Sequence, residues 1–136
     1  MKPRRSRPVR VPMMPHNHGH LQLTLYADLT QFISSPQPLG YNRLTRLLDI
    51  VSICMTLQGI ADNRAQVQSA RRAMVAIEQR YARTGVLAVT GLDALTLRAA
   101  APAIEAAIGR IRLDAFSYAN ALVQHKMQLQ GVAIAD

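Results

Sequence analysis

The chain has 136 residues, one domain's length, and 49% of them are apolar, which excludes a wholly disordered protein and leaves enough material for a core. Lys and Arg number 16 against 8 acids, a net charge of +8, so acidic partners are favoured and basic ones disfavoured. Cys54 is the single cysteine, which excludes an internal disulfide and a cysteine-only metal site.

The charge is unevenly placed. Lys2, Arg4, Arg5, Arg7 and Arg10 fall in the first twenty residues, where no acid stands. Pro3, Pro8, Pro12 and Pro15 break the same stretch and argue against a helix interior. Residues 1–20 are therefore expected to form a disordered basic arm, and residues 21–136 a single packed domain. The arm also carries His16, His18 and His20 beside Met13 and Met14, donor types that can hold Cu or Ni. The carboxylates and cysteines of a closed site are missing around them, so neither metal nor cofactor is assigned. No apolar h-region follows the basic start, and the uncharged run Ile50 to Ala61 is too short to span a bilayer. With the lone cysteine, this points to a reducing cytoplasm.

Residues 21–33 are ambiguous. Leu21, Leu23 and Leu25 alternate as in a strand, yet Leu21, Leu25, Leu29 and Phe32 make a helical stripe. The helical reading is preferred because the rest of the chain offers no strand partner. Ser34 to Gly40 contains two prolines and a glycine and reads as a loop. From about 42 to 61 runs a helix with Leu44, Leu47, Leu48, Val51, Cys54 and Met55 on one face, widened by Ile50, Ile53, Leu57 and Ile60. A helix apolar on most sides belongs in a bundle centre or at an oligomer interface. Cys54 is read as a buried thiol within it.

Asp62 is the expected N-cap of the next helix, which should stop at Gly85. Its seam is Val67, Ala70, Met74, Ile77 and Tyr81. Arg64, Arg71, Arg72, Arg80 and Arg83 project from the other half as a basic stripe about 28 Å long at 1.5 Å per residue. Thr90 and Asp93 form a capping box that opens a helix which Pro102 should end or kink. A last helix over 103–130 carries Ile104, Ile108, Ile111, Ala115, Tyr118, Leu122, His125 and Leu129 in alternating steps of 4 and 3, and Gly131 closes it. The fold expected is all-α, an antiparallel bundle of four or five helices.

No nucleophile, base and orienting group can be assembled, and no phosphate-loop, dinucleotide or zinc-protease spacing occurs, so an enzyme is not expected. The sequence favours a small regulatory protein of bacterial or mobile-element origin, given fourteen Arg to two Lys and abundant Ala. It would bind an acidic partner, nucleic acid first, through Lys2, Arg4, Arg5, Arg7, Arg10, Arg64, Arg71, Arg72, Arg80 and Arg83. Aromatics are too scattered for a base-stacking platform. The alternative is a protein–protein adaptor or inhibitor, or a homo-oligomer, joined through the seams of helices 42–61 and 103–130.

Overall fold

The computed structural model describes residues 10–130, so Lys2, Arg4, Arg5, Arg7 and Gly131 lie outside it. Five helices follow in order: α1 Pro15–Ser34, α2 Pro38–Gln58, α3 Arg64–Thr84, α4 Gly91–Ile108 and α5 Leu113–Gln130. Among the described residues there is no strand, only an isolated bridge between Pro12 and Arg112. No described helix is long and apolar enough to cross a membrane.

Helix α2 is the axis of the molecule. It packs against α1, α3, α4 and α5, while α1–α4 and α3–α4 close a four-helix ring, and α5 rests on α2 alone. Side-chain contacts give the direction of each neighbour. Phe32 meets Tyr41, Asp49 meets Arg71 while Tyr41 meets Glu78, Arg80 meets Asp93, Gln22 meets the Glu105 carbonyl, and Arg46 meets Asn120 while Gln58 meets the Arg112 amide. So α2 runs antiparallel to α1, α3 and α5, and α4 antiparallel to α1 and α3. The apolar width of α2 is thereby explained: Leu44, Leu47, Leu48, Ile50, Val51, Cys54 and Met55 are all buried within the chain. It is core and leaves no broad seam for an outside partner, contrary to the expectation of an interface over 42–61.

The helix ends follow local chemistry where no distant residue intervenes. Gly59 takes φ 66° and the Ile60 amide bonds back to the Met55 carbonyl at 2.8 Å, with Ile60 buried behind it. Gly85 closes α3 at φ 74°. Thr90 and Asp93 form the capping box, with Asp93 N to Thr90 Oγ1 at 3.1 Å and Thr90 N to Asp93 Oδ2 at 3.0 Å.

Five expectations are corrected. Helix α1 begins at Pro15, so residues 15–20 are helical and not part of an arm; Met13 is buried as well. Helix α2 begins at Pro38, which shortens the loop to residues 35–37. In both helices proline stands at N1, where its missing N–H costs nothing. Asp62 does not cap α3. Asn63 holds the cap position at φ 67°, a left-handed conformation Asn tolerates, and Asp62 pairs with Arg110 at 3.3 Å.

Pro102 neither ends nor divides α4, which runs on to Ile108. The ring stands on the exposed side, and the Arg98 carbonyl one turn back forgoes its N–H partner. The chain breaks instead at 109–112, which splits the expected helix 103–130 in two. There Gln58 donates to the Arg110 carbonyl at 2.7 Å and accepts from the Arg112 amide at 2.8 Å. Val11 accepts from the Leu113 amide at 2.8 Å, and His18 Nε2 meets the Ile111 carbonyl at 2.7 Å. These remote groups satisfy backbone that a continuous helix would have bonded to itself. The break also resets the phase of the seam. Ala115, Ala119 and Val123 face α2, while Tyr118, Leu122, His125 and Leu129 are exposed.

Candidate anion-binding groove

Helices α3 and α5 flank α2 without touching each other, and between them lies an open groove of about 730 Å³. Leu48, Met74, Val75, Val123 and Met127 give it an apolar floor, and Arg46, Arg71, Arg72 and Lys126 stand on its walls. Two carboxylates, Asp49 and Glu78, line it too.

The bundle itself consumes part of this charge. Arg71 donates to Asp49 Oδ1 at 3.1 Å and to Ser52 Oγ at 3.1 Å, and Gln68 donates to the same hydroxyl. Glu78 accepts from the Tyr41 hydroxyl at 3.2 Å, and Arg46 donates to Asn120 at 2.7 Å. Arg72 and Lys126 are exposed and make no hydrogen bond or ion pair among the described residues. They stand on opposite walls, one from α3 and one from α5, and are the cations left to an incoming anion.

The basic stripe of α3 is therefore divided. Arg64 lies at the helix start and reaches Thr56 Oγ1 at 3.4 Å. Arg71 and Arg80 are structural, because Arg80 bonds Asp93 and the Ala88 carbonyl. Arg72 and Arg83 remain on the outer face, which carries no carboxylate of its own. Arg10 is exposed at the edge of the described chain. Lys126 was missed by sequence reasoning. Its signal was weak, since a single Lys on a helix gives no hint that another helix brings an Arg opposite.

The histidines of the first twenty residues separate once they are helical. His16 and His20 are exposed one turn apart, while His18 turns inward to the Ile111 carbonyl. No group of three or more His, Cys, Asp or Glu among the described residues is placed to hold a metal ion. His125 is exposed on α5 rather than packed in a seam.

Cys54 is fully buried, and burial, with the Asp114 charge adding to it, pushes its thiol up to about 12. A thiol of that kind stays protonated and shielded. The expected result is that a thiol-specific reagent at pH 8 leaves the native protein unlabelled and modifies one equivalent in denaturant. Fast labelling without denaturant would show that α2 opens.

No family of known proteins, no curated protein and no solved structure matches this chain.

Proposed function

We propose that this protein is a non-enzymatic binding module for polyanions, nucleic acid first, held by its backbone phosphates. The supporting observation is the pair of uncommitted cations, Arg72 from α3 and Lys126 from α5, that line the groove, with Arg83 further along α3. Neutralising phosphates releases counterions, so affinity should be steeply salt-dependent and poorly sequence-selective. The cations Lys2, Arg4, Arg5, Arg7 and Arg10 would add attraction of the same kind.

The test is fluorescence anisotropy on random duplex DNA across a salt series. Changing Arg72, Arg83 and Lys126 together to Ala should weaken binding about tenfold or more at low salt and flatten the salt slope by roughly two to three. Changing Arg4, Arg5, Arg7 and Arg10 to Ala tests the N-terminal cations. Substitution is needed there because a chain cut at Leu21 would lose the buried Met13 and the start of α1. Absence of binding at low salt, or equal binding by both variants and the parent, refutes the reading.

The apolar floor favours a second reading, an acidic amphipathic helix seated in the groove. Val75, exposed on the floor's edge, separates the two. Val75→Asp should abolish capture of such a peptide and leave the cations that would serve DNA in place.

A further inference from the structure

Helix α4 is apolar nearly all round, yet it has no neighbour on its outer side. Its inner face, with Leu97, Ala100, Ala101, Ile104, Ala107 and Ile108, is buried against α1, α2 and α3. The outer face carries Leu92, Leu95, Ala99, Pro102 and Ala106, all exposed, with Leu92 73% and Leu95 65% accessible. These five step 3-4-3-4, the spacing of a coiled-coil seam, and extend about 21 Å at 1.5 Å per residue. No charged residue interrupts the row.

The flank of the row says what covers it. Arg98 and Glu105 each precede a seam residue by one position, so both occupy the same edge of the helix seven residues apart. Arg98 is exposed and has no hydrogen bond or ion pair among the described residues. Glu105 is held at that edge by Tyr26, whose hydroxyl donates to Glu105 Oε2 at 2.6 Å. Opposite charges one heptad apart on one edge are self-complementary only when two such helices run antiparallel. Each Arg98 then lies against the other copy's glutamate, twice by symmetry. A parallel pair would set Arg98 against Ala103 and waste it. The chain's own residues 1–9 fit the row poorly, having four cations and only Met1 and Val9 among apolar side chains other than proline.

We propose that two copies of this chain associate through the outer face of α4. The helices run antiparallel about a two-fold axis near Ala99 and Pro102, with Arg98 of each copy opposite the partner's Glu105. The small side chains of Ala99, Pro102 and Ala106 let the helices approach closely, and Leu92 and Leu95 fill the ends. This association is independent of the polyanion reading, since the groove lies between α3 and α5.

Sedimentation equilibrium of the full chain over a concentration series tests it, with far-UV circular dichroism as the control for folding. The parent should form a dimer. Leu95→Asp, at an exposed position, should leave the helical spectrum intact and yield monomer. Arg98→Glu and Glu105→Arg should each weaken the dimer about tenfold, because two favourable pairs become two repulsive ones. An equimolar mixture of those two variants should recover parental affinity as a heterodimer, which no other surface predicts. A parent that stays monomeric, a dimer indifferent to Leu95→Asp, or a mixture no tighter than its parts overturns the proposal.

Discussion

Arg80→Ala is expected to cost about 3 kcal/mol of stability, measured by chemical denaturation at pH 7, although its position reads from the sequence as one more surface cation. The Asp93 side chain is only 10% exposed and its carboxylate serves two partners, the Thr90 amide of the capping box and the Arg80 guanidinium. Removing Arg80 leaves a nearly buried charge with the capping bond alone, while Arg80 itself is 27% exposed, which keeps the cost at the lower end for such pairs. Burial pushes the Asp93 carboxyl up, but the Thr90 and Arg80 hydrogen bonds together outweigh it and hold the carboxyl below its usual range. A depressed carboxyl contributes stability above its unfolded value near 3.9, and that contribution is lost as pH falls through the lower folded value. Without Arg80 the carboxyl keeps only the Thr90 bonds against the burial penalty and is depressed less, so the variant loses less on acidification. The gap between parent and variant should narrow steadily below about pH 4. A gap that stays constant from pH 7 to pH 3 would assign the loss to packing of the Arg80 stem instead. Under the proposed polyanion binding, the folded variant should bind DNA as the parent does, since Arg80 is already committed within the bundle.

Arg80 also marks the limit of what sequence patterning can reveal. The inner faces of α2 and α3, the stop at Gly85 and the capping box at Thr90 depend on residues within one or two turns and are legible in the sequence, whereas the face of α5 is not. The apolar width of α2 leaves two readings, a bundle centre or an oligomer interface, and its burial within the chain selects the first. What stayed hidden was decided across long separations. The acids that occupy Arg71 and Arg80, Asp49 and Asp93, come from the preceding and following helices. Periodicity on α3 alone cannot foresee either. The break at 109–112 depends on Gln58 and Val11, which lie 52 and more residues away, so the unbroken 4-3 rhythm from Ile104 to Leu129 was read as one helix. Pro102 does not end α4 for the opposite reason. A single missing bond on a solvent-facing side is tolerable when the other face of α4 is packed against three helices.

Tyr41 carries the second large effect. Tyr41→Ala should cost about 4 kcal/mol and Tyr41→Phe about 1 kcal/mol, read from paired denaturation curves. The side chain is 1% exposed and joins three helices. Its ring meets Phe32 of α1 edge-on, with centroids 5.9 Å apart at 63°. Its hydroxyl donates toward the Met74 carbonyl at 3.0 Å and Glu78 Oε2 at 3.2 Å, both on α3. Deleting the ring opens a cavity where α1, α2 and α3 converge. Deleting the hydroxyl alone removes a bond to a helical carbonyl and a groove carboxylate that water reaches, hence the smaller cost. Burial, reinforced by the Glu78 charge, raises the phenol above its ordinary value. A raised folded value means that Tyr41 contributes stability below pH 10, and that this is lost as the unfolded phenol ionises at higher pH. The parent should therefore weaken in alkali more steeply than Tyr41→Phe, and the two curves should converge above pH 10. If the Phe variant lost as much stability as the Ala variant at neutral pH, the hydrogen bonds rather than the ring would hold the three helices together. The edge contact with Phe32 would then be incidental.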